Sequence, residues 1–122
     1  MRTARIAFDG AIHVVTPADG GVRLADGRVL AEGTFVWLPP VEVRTVFALG
    51  LNYADHAREL AFEPPKNPLV FLKGPNTITG HRAHTRRPDG TIHMHYECEL
   101  AVVIGKRGKH IREEDAYDHV AG

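Results

Sequence analysis

Short apolar runs separated by turn residues set the pattern of the first third of the chain. Ala4 to Phe8 and Ala11 to Val15 flank Asp9-Gly10, which predicts a two-stranded hairpin. Pro17-Ala18-Asp19-Gly20-Gly21 predicts a second turn and Asp26-Gly27 a third. Trp37-Leu38-Pro39-Pro40 then imposes a rigid, extended stop. Residues 1–40 are therefore expected to form a small N-terminal β subdomain, and residues 41–122 a second region.

In that second region, Val43 to Leu49 reads as a short strand ended by Gly50. Asn52 to Ala61 carries a helical signal, with Asn52 as a cap and Asp55 in the first turn. The proline-rich run from Phe62 to Pro68 cannot continue that helix and is expected to be a loop. Leu69 to Lys73 predicts a strand stopped by Gly74-Pro75-Asn76, and Arg112 to Val120 a short helix with acids early in it. The fold class expected from this order is mainly β with short helices (α+β).

The most informative pattern lies at His93 to Gly105. Strand periodicity there would put His93, His95, Glu97 and Glu99 on one face, and Met94, Tyr96, Cys98 and Leu100 on the other. The apolar tail Leu100 to Ile104 predicts entry into a core. Two carboxylates on one face at the mouth of a buried strand suit a hard divalent cation. An exposed edge strand with solvated acids fits the same pattern, so both readings stand at this point. A second constellation is His56 and Glu59, three residues apart and so on one helix face. A carboxylate that orients a histidine makes a general base near neutral pH. An ordinary exposed surface pair is the alternative.

Charge and composition narrow the classes. Lys plus Arg number 15 and Asp plus Glu number 15, for a net charge of zero. Such a balance gives no electrostatic draw toward nucleic acid or an anionic membrane. The short basic stretch from His81 to Arg87 ends at a turn and reads as a solvated loop. The single cysteine, Cys98, excludes an internal disulfide and suits a reducing, cytoplasmic location. It is expected to be a small core residue opposite the glutamates. No run reaches the roughly 20 apolar residues of a spanning helix, and the N-terminus lacks a signal-peptide core. A generic metal module built on the eight histidines is weakly supported, since only His93 and His95 would share a face with the acids.

The strings GLNYADHARELAFEPPKNPLVFLKGPNT, HYECELAVVIGKRGKHI and EDAYDHVAG together resemble the fumarylacetoacetate hydrolase family. The resemblance is strong from about Arg44 to Gly122 and looser before it. It is closest to the N-terminal half, or separate first subunit, of a homoprotocatechuate-pathway branch that decarboxylates and isomerises 2-oxo and 2-hydroxydienoate dicarboxylic acids. That resemblance implies the N-terminal part of a mixed β-sandwich roll, usually oligomeric, with a small-molecule substrate. It implies Mg²⁺ or Mn²⁺ held by Glu97 and Glu99 with a later aspartate, and an enolate stabilised by that metal. It implies a base dyad of His56 and Glu59, and it matches Lys73 to a recurring position near the pocket, where a surface lysine is the alternative; a dicarboxylate substrate needs cationic partners for its distal carboxylate, for which Lys73 and Arg82 are the candidates.

The family's third ligand follows the segment at which this chain stops, so an incomplete, truncated roll is expected. The chain-end helix is expected to lack a strand to pack against. The alternatives are a non-catalytic subunit that needs a partner chain, and an acylpyruvate-type C–C hydrolase or oxaloacetate decarboxylase.

Overall fold

The structure is a computed structural model that describes residues 2–59, 63 and 65–122; the side chains of His56, Ala57 and Glu59 lie outside that description. Two compact units divide between Thr85 and Arg86.

The first unit is organised by a five-stranded antiparallel sheet. Its strands are β1 (Ala4–Phe8), β2 (Ala11–Ala18), β3 (Gly21–Arg23), β4 (Val29–Ala31) and β5 (Val36–Trp37), in the spatial order β4-β3-β2-β1-β5. The first hairpin forms as expected, with Phe8 opposite Ala11. Asp9 and Gly10 take φ of 49° and 72°, the two positive values a tight two-residue hairpin turn demands. One expectation needs correcting. The second turn is confined to Asp19-Gly20, and β2 runs on through Pro17 and Ala18, paired with Val22 and Gly21. Cross-strand pairing continues past the proline because the loss of one N–H leaves its neighbours' bonds in place.

Alternation places Ile6, Val15 and Val22 on one face, where they are buried together with Leu24. Ala4, Phe8, Leu30, Phe35 and Trp37 pack around them. Complete burial of Ile6 contributes on the order of 1.5–3 kcal/mol relative to leaving it exposed. Phe35 meets Trp37 edge to face at 4.9 Å. His81 makes a second edge contact with Trp37 at 5.6 Å, which ties the later segment to the sheet. Gly80 permits that approach, because a Cβ there would lie 1.9 Å from the Trp37 carbonyl oxygen.

The same unit holds a two-stranded antiparallel sheet of β6 (Val46–Gly50) and β7 (Leu69–Lys73); β7 is as expected, while β6 starts three residues later than the expected Val43 and takes in Gly50, which pairs with Leu69 instead of ending the strand. Helix α1 (Ala54–Glu59) follows β6. The helix expected to extend to Ala61 is observed to Glu59, and its last two residues lie outside the described residues. A 3₁₀ turn at Pro75–Thr77 ends β7. Phe47 pairs with Leu72 and Leu49 with Val70, so these four share one face. All four are exposed.

The second unit departs from expectation. No strand forms over 91–103, and the only bridge in this stretch joins Ile104 to Val120. Tyr96 is 95% exposed and Leu100 83%, so the apolar tail does not enter a core. Cys98 is exposed as well, not packed inside. The reason is that period-2 patterning specifies a face, while a strand also needs a neighbour to take its backbone hydrogen bonds. Val103 and Gly105 find one. They bond to His119, Ala121 and Gly122, so the last residues are held by an isolated bridge rather than by a strand. Between these arms lies a 3₁₀ helix at Glu113–His119, with Glu113, Glu114 and Asp115 in its first turn. Arg112 clamps that turn through Asp115 at 2.9 Å and Glu114 at 3.2 Å. Among the described residues, no helix is long and apolar enough to cross a membrane.

Candidate active site

Helix α1 carries His56 and Glu59 three residues apart. Their side chains lie outside the described residues, so the expected dyad contact does too. The helix is short, and Asp55 and Arg58 brace it with an exposed ion pair at 2.8 Å. An exposed pair of this kind adds only a few tenths of a kcal/mol, about 0.3–0.5. The chain enters the helix through Leu51, whose φ of 54° places a branched side chain in the left-handed region. Backbone strain of about 1–3 kcal/mol at such a residue is a common mark of functional loops.

At this entry the end of β6 and the start of β7 enclose a cleft of about 230 Å³. Leu49, Leu51 and Leu69 form apolar walls, and Asn52 and Lys66 add polar groups. An ammonium and a carboxamide over an apolar wall suit a carboxylate with a hydrocarbon body. Sequence reasoning passed over Lys66. Its signal was a lone cation among Pro64, Pro65 and Pro68, in the loop joining the helix to β7.

Lys73 lies elsewhere. It pairs with Val46, whereas Gly50 pairs with Leu69, so Lys73 sits at the far end of the hairpin from the helix root. Four residues of strand separate the two ends, about 13 Å. The Lys73 ammonium lies 5.8 Å from the centroid of the Phe71 ring. Arg82, with φ of 57°, pairs with Glu32 of the N-terminal subdomain, which engages its charge there.

Glu97 and Glu99 belong to the second unit and are exposed on the segment without a strand. Their oxygens are the donor type that Mg²⁺ and Mn²⁺ favour. Among the described residues, no group of three or more His, Cys, Asp or Glu side chains is placed to hold a metal. The pair thus has fitting donor chemistry and requires further oxygen donors for a full coordination shell. The second unit also contains an open cleft of about 520 Å³ near Ile104, Lys106, Arg112 and His119. None of the expected site residues lines it.

Residues 45–122 match the family described as fumarylacetoacetate (FAA) hydrolase C-terminal. The chain belongs to the fumarylacetoacetate hydrolase family. It is 52% identical over 106 residues to the 4-hydroxyphenylacetate degradation bifunctional isomerase/decarboxylase of Salmonella dublin, covering 87% of this chain and 24% of that protein. It is 62% identical over 78 residues to the homoprotocatechuate catabolism bifunctional isomerase/decarboxylase of Escherichia coli, covering 64% of this chain and 18% of that one. With the oxaloacetate tautomerase YisK of Bacillus subtilis it shares 46% over 126 residues, covering 86% of this chain and 42% of that protein. The chain therefore spans about a quarter or less of the two bifunctional enzymes. An uncharacterized protein from Mycobacterium abscessus has a similar structure, with a TM-score of 0.69 and 28% identity over all of this chain and 52% of its own. The mixed β fold with short helices is thus that of the fumarylacetoacetate hydrolase type, covered in part.

Proposed function

We propose that this chain forms the N-terminal part of a decarboxylase and isomerase of 2-oxo dicarboxylic acids in 4-hydroxyphenylacetate or homoprotocatechuate catabolism. The observation that carries the proposal is the 52% identity, across 87% of the chain, with a Salmonella enzyme named for those two activities. The acids, the histidine and the lysines invoked below all fall within the stretch that matches the family.

In this reading His56 is the proton carrier and Glu59 holds its ring in place. When a carboxylate β to the carbonyl leaves as CO₂, the C–C bond breaks and its electron pair enters the substrate's enolate system. His56 then returns a proton to carbon. In the isomerisation the same imidazole takes a proton from one carbon and delivers it to another, which a base near neutral pH does well. Lys66 and Asn52 receive a substrate carboxylate in the cleft at the root of α1, and Lys73 is the candidate for a distal one, since Arg82 is engaged by Glu32. Glu97 and Glu99 would be two of the oxygen ligands of Mg²⁺ or Mn²⁺, which supplies Lewis-acid polarisation of the 2-oxo group when bound.

A second reading, oxaloacetate tautomerase, is favoured by the 46% identity with YisK. A chimera tests both. This chain would replace the homologous segment of the Escherichia coli enzyme, and the product would be assayed with Mn²⁺. Turnover of 2-hydroxyhepta-2,4-diene-1,7-dioate and of its carboxylated precursor is the expected outcome. A folded chimera that interconverts only the tautomers of oxaloacetate would overturn the first reading in favour of the second.

A further inference from the structure

The chain leaves the N-terminal sheet and returns to it at the same residue. The exit is at Trp37-Leu38. There the Leu38 N–H donates to the Arg5 carbonyl at 2.9 Å, and the Arg5 guanidinium donates to the Pro39 carbonyl at 3.2 Å. The excursion that follows carries β6, α1 and β7. It returns at Gly80, whose backbone lies so close to Trp37 that a Cβ would overlap the Trp37 carbonyl and crowd the Leu38 nitrogen. Exit and return therefore meet on β5, the edge strand of the sheet. All of these residues lie within the first unit.

Two side chains fasten the return. His81 sets its ring edge to face on Trp37 at 5.6 Å. Arg82 pairs with Glu32, in the turn between β4 and β5. The Ala83 N–H donates to the Gly80 carbonyl at 3.3 Å and closes a turn in which Arg82 takes a φ of 57°. Glycine or asparagine adopts that left-handed value with less strain, so an arginine there is held by what its side chain reaches. Closing a loop of about 40 residues costs conformational entropy, which the contacts at its base offset. The aromatic contact and the half-exposed ion pair are each modest, and the backbone packing at Gly80 adds dispersion to them.

We infer that Gly80-His81-Arg82 is a latch on Trp37 and Glu32, which holds the two ends of the excursion bearing α1 together. Its release frees the base of the excursion at Leu38 and leaves the β1–β2 hairpin folded. Gly80 supplies the close approach, His81 the grip on the edge strand, and Arg82 the tie to the next turn of the sheet.

Hydrogen exchange in the whole chain, read residue by residue by NMR, tests the latch. The probe is the Leu38 amide, which lies beneath Gly80, and the amides of β2 are the reference. Gly80→Val should speed exchange at Leu38 by at least about fivefold. His81→Ala should speed it by about two- to tenfold. Arg82→Glu should speed it by about two- to fivefold, and Glu32→Arg in the same chain should bring it back toward the parent rate. The β2 amides should keep their parent rates throughout. If Gly80→Val does not fold, His81→Ala and the charge exchange decide. Parent-like exchange at Leu38 in both His81→Ala and Arg82→Glu overturns the latch. So does an equal acceleration of the β2 amides, which would make these contacts part of general stability. A charge exchange that recovers nothing overturns it too, because Arg82 would then act through its turn and not through Glu32.

Discussion

The N-terminal sheet and the acidic segment at 93–104 carry similar alternating patterns and meet opposite fates. In the sheet, Ile6 and Val15 are at most 1% exposed, and every strand has a hydrogen-bonded neighbour. In the acidic segment, Tyr96 and Leu100 stand in solvent and no ladder forms. The difference lies in partners rather than in local pattern. Tight turns such as Asp9-Gly10 deliver the next strand within two residues, so loop closure costs little. The acidic segment follows a long turn-rich stretch, and its end at Val103 to Gly105 bonds to His119, Ala121 and Gly122. Its glutamates are then ligands in type, and among the described residues no group of three or more His, Cys, Asp or Glu is placed to hold a metal.

The sharpest way to break this comparison is to ask whether the exposed segment matters more than the buried one for activity. In the chimera described above, Glu97→Ala or Glu99→Ala should reduce Mn²⁺-dependent turnover to background. Unaltered rates in either variant would remove that residue from the ligand set. Next in size is His56→Ala, expected to lower turnover by about 10²-fold or more while Mn²⁺ affinity stays near the parent value. A collapse of metal affinity would instead make His56 a ligand or a structural residue.

Stability should rank the two regions the other way. Ile6→Ala should destabilise the N-terminal sheet by about 2–5 kcal/mol, read by hydrogen exchange of β1 and β2. Leu100→Ala, at a residue 83% exposed, should change the stability of the 122-residue chain by no more than about 0.5 kcal/mol. Equal losses would mean that the acidic segment packs in solution.

The smallest effect concerns Asp26. The backbone N–H of Arg28, at 3.0 Å, and then its side-chain Nε, at 2.8 Å, hold the Asp26 carboxyl below its usual value. Because the folded value is depressed, this carboxylate stabilises the β3–β4 turn above its unfolded pKa. That contribution is lost as pH falls through the lower folded value. Thermal melts from neutral to acid pH should show a slightly shallower acid decline in Asp26→Asn than in the parent chain.

How much was legible in advance varies by residue. Strands β1, β6 and β7 and the last helix could be read from apolar runs bounded by glycine, proline and aspartate, because those signals are local. The extension of β2 through Pro17 could not, since an adjacent strand overrides the proline's usual punctuation. The helix that carries His56 and Glu59 was legible from the Asn52 cap signal and Asp55 in its first turn, and that helix is present. Lys66 went unremarked because its significance comes from the pairing of Gly50 with Leu69, near which Lys66 lines a cleft with Leu49 and Leu51. The pairing of Arg82 with Glu32, fifty residues apart, has no sequence signature at all.

By itself, the sequence determined the turn positions, the apolar faces and the chemical types gathered at 52–59 and 93–99. Those properties follow from each residue's own φ preferences, its polarity and its spacing from its neighbours. The tertiary structure decided which of the apolar faces became a core, which cation was engaged by an acid, and which alternating run became a strand. Those outcomes depend on a second segment arriving to share hydrogen bonds and exclude water, and no local pattern encodes that arrival.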